Sequence, residues 1–118
     1  MTQEDRNLLL KDLCARFPYN VVVRCTDNDT DYKCFLTTNI LNELLHNIEY
    51  YDYKPYLRPM SSMTEEEENE YRAINCYEGL FPRNEDALDY VLANHFDFRG
   101  LIEKGLALEA PEGMYKTE

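Results

Sequence analysis

Two histidines, His46 and His95, and four cysteines, Cys14, Cys25, Cys34 and Cys76, are the side chains best suited to proton transfer, nucleophilic attack or soft-metal binding. Any imidazole-based acid–base or ligand pair must draw on those two histidines, the only groups whose ordinary titration falls near neutrality. His95 falls on the apolar side of an expected helix, near an end where the dipole tolerates its charge. No Cys or His residues stand at the close spacing of a zinc ligand pair. The cysteines therefore read as small hydrophobes.

The stretch Asp27-Asn28-Asp29-Thr30-Asp31 begins like a calcium-binding loop. Tyr32 stands where the sharp turn needs glycine, and Thr38 where a bidentate glutamate belongs. It reads instead as a solvated hairpin turn. Four glycines leave little room for phosphate-binding loops, and neither GxSxG nor HExxH occurs. No catalytic residue, cofactor or metal is predicted, and the chain is expected not to be an enzyme.

The tyrosines are more suggestive. Strand alternation from 48 to 58 puts Ile48, Tyr50, Asp52, Lys54, Tyr56 and Arg58 on one face and Glu49, Tyr51, Tyr53, Pro55 and Leu57 on the other. Aromatics on both faces pack into the interior only if both faces are covered. One reading packs one set beneath a helix while the other shields a sheet edge. The other leaves an exposed Tyr/Arg surface for a protein partner, since such residues dominate binding hot spots.

Twelve basic side chains face 23 acidic ones, for a net charge of −11. The imbalance lies in residues 61–118, which carry 5 basic and 14 acidic side chains. Such a surface repels phosphate backbones and argues against direct nucleic-acid binding. It also suits an inhibitor that fills the basic groove of a nucleic-acid-binding protein. No basic start followed by a long apolar run marks a signal peptide, and no window is long and apolar enough to span a bilayer. A cytoplasmic location with reduced cysteines and no membrane contact is expected.

The elements that must position these residues follow from periodicity and capping. Leu9, Leu10, Leu13, Cys14 and Phe17 recur at three- and four-residue intervals and predict a helix over 3–17, capped by Thr2 and stopped by Pro18. Strands are expected near 20–26 and 32–38, joined as a hairpin, while 39–47 is ambiguous between a short helix and an irregular link. A third strand contains Pro55 and Pro59, which should confine it to an edge or break it near residue 55. Thr64 and Glu67 form a capping box for a helix over 65–78, with Glu68 meeting Arg72 and a stripe of Tyr71, Ile74 and Tyr77. Asn84 caps a helix over 85–95. A short helical piece ending near Gly105 and an extended segment follow, and 112–118 reads as a frayed tail.

The stretches KPYLRPMSSMTEEEENEY (54–71), NHFDFRGLIEKGLALEAPEGMYK (94–116) and LLLKDLCARFPYNVVV (8–23) closely resemble a set of short, uncharacterised proteins of gut Bacteroidales and their phages or prophages. The resemblance implies an accessory protein of mobile-element context and carries over no catalytic residue. It directs attention to the segments 54–63 and 96–100. The plainer reading makes Pro59–Met63 a strand-to-helix corner, with Asp97 and Arg99 forming a local cap or ion pair.

The expected fold is one α+β domain over 1–118: a small antiparallel sheet of about three strands, packed with an N-terminal helix and C-terminal helices. The expected function is a non-enzymatic protein-interaction module with an unknown protein partner and an open oligomeric state. Its candidate contact residues are Tyr53, Lys54, Tyr56, Arg58, Met60, Phe98 and Arg99.

Overall fold

The Thr2 hydroxyl accepts the Asp5 amide at 3.0 Å while the Asp5 carboxylate accepts the Thr2 amide, a reciprocal cap that starts helix α1 (Gln3–Arg16). The computed structural model describes residues 2–27, 30–46, 52–76 and 79–115. The face α1 buries differs from the one its leucine spacing suggests. Leu9, Asp12, Leu13 and Arg16 turn inward, while Cys14 and Phe17 are exposed. The inward stripe keeps helical spacing, but half of it is charged. The helix ends at Arg16, and Pro18 sits in a single 3-10 turn that hands the chain through Asn20, at φ 57°, into the first strand. Asparagine is among the few residues that tolerate that left-handed conformation.

Strands β1 (Val22–Asp27) and β2 (Thr30–Phe35) form the expected hairpin, paired as far as Asp27 opposite Thr30. The ladder therefore runs further into the five-residue polar stretch than expected. β2 ends early because Thr37 is committed elsewhere: its hydroxyl accepts the Ile40 amide at 3.3 Å and starts helix α2 (Thr38–Leu45). The ambiguous segment is thus helical over those residues.

Strand β3 (Asp52–Pro59) is neither broken at Pro55 nor confined to an edge. It pairs antiparallel with β1 over 52–55, then in parallel with β5 (Leu108–Glu109) at Tyr56 and Leu57 and with β4 (Phe96–Asp97) at Arg58 and Pro59. Backbone phase explains the tolerance. The Leu57 carbonyl accepts the Ala110 amide at 2.8 Å, so odd-numbered β3 groups face β5. Pro55 shares that phase, and its missing N–H removes no bond to β1. The α+β class holds, but the sheet is a mixed one of five strands, larger than the antiparallel three expected.

Helix α3 (Glu65–Asn75) begins at the anticipated capping box, with Glu67 N bonded to the Thr64 hydroxyl at 3.1 Å and the Glu67 carboxylate returning to the Thr64 amide at 3.1 Å. Glu68 and Arg72 pair at 2.6 Å on its surface. The helix stops at Asn75, with Cys76 at φ 52°; Tyr77 lies outside the described residues. Asn84 caps helix α4 (Glu85–Ala93) through the Ala87 amide at 2.7 Å. Pro59–Met63 is a strand-to-helix corner, as its plainer reading has it, built around one 3-10 turn. Residues 101–105 form turns where a helical piece is expected.

Buried side chains fall into two clusters. Leu9, Leu13, Val21, Val23, Tyr53 and Leu57 anchor the larger one, where α1 and α2 cover the sheet. Tyr71, Ala87, Val91 and Phe96 anchor the second, between α3 and α4.

Candidate functional site

Tyr53 and Tyr56 are 5% and 9% exposed, so the described part of β3 does not present the aromatic face that an exposed Tyr/Arg surface requires. Both faces are covered. The Tyr53 phenol points into the larger cluster and donates to Glu43 of α2; burial, then that carboxylate, push its pKa up. Tyr56 faces the opposite way beneath the Lys33 ammonium, 5.3 Å from its ring centre. Lys54 stands half-buried opposite Arg24, and Tyr50 and Tyr51 lie outside the described residues.

Arg58, Met60, Phe98 and Arg99 form a structural joint between the clusters. Arg58 grips Glu67 with two nitrogens at 2.6 and 2.9 Å, its guanidinium 4.2 Å above the Phe96 ring centre. That bidentate bond is the chief cause holding the Glu67 carboxyl below its usual range. Met60 and Phe98 pack on the second cluster. Arg99 lies 4.5 Å from the Phe98 ring centre and reaches Asp12 at 3.0 Å. Asp97 is the local cap that the plainer reading expects, its carboxylate accepting the Leu101 and Ile102 amides at 2.8 and 3.0 Å. The partner of Arg99, however, is not Asp97 but a residue 87 positions away.

The fully buried Asp12 also accepts from Arg16 at 2.6 Å, and Arg16 donates onward to the Phe96 carbonyl at 2.7 Å. An uncompensated charge here would be prohibitive, so two guanidiniums around one carboxylate hold α1 against the β4 region. Periodicity hides this arrangement, because Asp12 and Arg16 look like ordinary polar-face residues.

His95 departs from its expected setting. It lies just beyond α4 at φ 63°, buried, its ring stacked 3.7 Å from that of Tyr115. Burial first, then the Arg16 and Arg58 charges, push its pKa down to about 4, so it is neutral near neutrality and not a tolerated cation. Its carbonyl accepts the Arg58 amide at 2.7 Å. The tail expected to fray is tied down at least through Tyr115, whose hydroxyl accepts the Val22 amide at 2.9 Å and donates to the Tyr56 carbonyl at 2.7 Å. The other histidine, His46, is exposed at the end of α2.

Two adjoining clefts lie on the α3–α4 side. The larger, of about 1130 Å³, runs between α3 and the segment 109–115; Glu66, Glu67 and Glu70 line one wall, Glu109 and Glu112 the other. Arg58 is the one basic side chain in its lining and is already engaged by Glu67. The second, of about 670 Å³, is a shallow depression wide open to solvent, bordered by Asp86 and Asp89 together with Tyr19 and Ile74. Tyr90 and Asn94 line both. The Tyr90 hydroxyl donates toward Glu70 at 3.3 Å, and burial reinforced by the Glu70 and Glu67 charges pushes its pKa up to about 12.

Neither histidine lines either cleft, and of the seven contact residues the sequence suggests, only Arg58 does. Among the described residues no three His, Cys, Asp or Glu side chains converge as metal ligands would. No helix among them is long and apolar enough to cross a membrane. No protein-family model, curated protein sequence or solved structure matches the chain.

Proposed function

We propose that this protein is a non-enzymatic interaction module that receives a basic segment of a protein partner in the paired acidic clefts. The observation that carries the proposal is the convergence of carboxylates from α3, α4 and the 109–112 segment on clefts that share Tyr90 and Asn94. Potential of one sign focused in a concave surface steers an oppositely charged partner and fixes its register. Tyr90 supplies the amphipathic ring that such interfaces use. The reading replaces the β3 tyrosines by a surface that is open, and Arg58 serves it as an internal counter-charge. A cytoplasmic accessory role in genomes shaped by phages or other mobile elements belongs to the same proposal.

The same convergence favours a narrower second reading, in which the partner's basic surface is one that otherwise holds nucleic acid. Affinity capture from a lysate of the native cell, with nuclease and stepped salt, tests both. The expected result is a basic protein retained by the wild type, released at moderate salt, and lost with Glu66→Gln/Glu70→Gln/Glu112→Gln. Equal capture by that variant overturns the proposal. Displacement of the chain by a duplex oligonucleotide selects the mimic; failure to displace it selects a general protein-binding role.

A further inference from the structure

The sulfurs of Cys25 and Cys34 lie 3.1 Å apart across the β1–β2 hairpin, inside the ~3.5–4.0 Å of ordinary non-bonded contact. Cys25 stands opposite Tyr32 and Cys34 opposite Val23, so the two thiols are diagonal neighbours on one face. Cys25 is buried and Cys34 only partly so, which makes Cys34 the more accessible of the two. Cys14 and Cys76 are exposed and lie on other elements.

We infer that Cys25 and Cys34 form a reversible disulfide by exchange with a low-molecular-weight disulfide of the glutathione class. The thiolate of Cys34 attacks one sulfur of the incoming disulfide, forms a mixed disulfide and releases one thiolate. Cys25 then gives its proton to solvent base and attacks the Cys34 sulfur, releasing the second thiolate. Two protein thiols are oxidised and the small disulfide is reduced to two thiols, so the electrons balance. The sulfurs close by about 1 Å to reach the ~2.05 Å of the bond.

One feature makes this bond easily reversed. Diagonal partners in an antiparallel pair have Cα atoms about 7–8 Å apart, beyond the ~4.4–6.8 Å that disulfides usually bridge. Closure therefore drags β2 along β1, and bonds that hold such distortion are the labile ones. The Cys25 thiol bears on rate instead: burial first, then the hydrogen bond with Cys34, push it up to about 12, which slows the resolving step and lets the mixed disulfide accumulate first. The movement is felt beyond the hairpin, because Cys25 also faces Tyr53, whose hydroxyl holds Glu43 of α2.

The test is incubation of the native protein in graded mixtures of oxidised and reduced glutathione, followed by acid quenching, alkylation and peptide mass mapping. The expected result is a Cys25–Cys34 linked peptide pair and loss of two hydrogens from the intact mass, reversed by excess reduced glutathione. Cys25→Ser should stop the reaction with glutathione on Cys34, whereas Cys14→Ser/Cys76→Ser should leave the linkage unchanged. Mixed disulfides without closure, linkage to Cys14 or Cys76, or linkage only in denaturant would each overturn the assignment. The wild-type map decides the matter even if a variant fails to fold.

Discussion

Between Val22 and Tyr56, where β1 and β3 part, a phenol stands in for the peptide groups that would continue the ladder. Tyr115→Phe keeps the ring on His95 but leaves a part-buried amide and carbonyl without that partner. A loss of about 1–3 kcal/mol in urea-unfolding free energy is expected. His95 makes a second claim at this scale. Its pKa is lowered from 6.5 to about 4 by burial, Arg16 and Arg58, so between those values the unfolded chain takes up a proton that the native state refuses. Stability is therefore unaffected by this group above pH 6.5 and falls as pH drops toward 4, by about 3 kcal/mol across the window. Glu67, whose folded pKa is lowered from 4.5, adds a further loss below that value. Urea midpoints measured from pH 7.5 to 4 should show the decline, and His95→Asn, which suits φ 63°, should flatten it. An unchanged slope in that variant would reject the assignment to His95.

Helices α1 and α3 differ in what a sequence can reveal about them. α3 is set by a local device, and Thr64→Ala should cost about 1 kcal/mol, read from thermal or urea denaturation. α1 is set by a distant one, and Asp12→Ala, which strands the buried Arg16 charge, should cost about 3–5 kcal/mol in the same assay. The Thr64 and Asn84 caps, the Glu68–Arg72 pair and the hairpin were readable because their partners lie within a few residues. The inward face of α1 was not, because Arg99 lies 87 positions from Asp12. Strands β4 and β5 are two residues each, too short for alternation to register. The prolines of β3 misled because their cost depends on which neighbour their missing donor faces.

At the scale of the whole molecule, part of the net charge of −11 gathers around the two clefts. The carboxylates of α3, α4 and the 109–112 segment were visible in the sequence only as an excess of acid over 61–118. Their convergence was not, since it depends on α3 and α4 packing side by side and on the 109–115 segment crossing back to β3. Binding of a Lys/Arg-rich peptide should weaken steeply between 50 and 200 mM salt in fluorescence anisotropy, because exposed charges separated by more than about 10 Å are screened at 0.1 M. A salt-independent affinity would point away from the clefts. The ladder-completing phenol also carries a consequence for the order of events during synthesis. The Val22 amide meets its partner only after 93 further residues have been made, whereas the β1–β2 hairpin is complete once Phe35 has been added. A chain still growing on the ribosome can thus make its hairpin and first helices early, but the Val22–Tyr56 end of the β1–β3 seam lacks its closing phenol until Tyr115 has left the exit tunnel, and a chain stalled before that point is more open to proteases there.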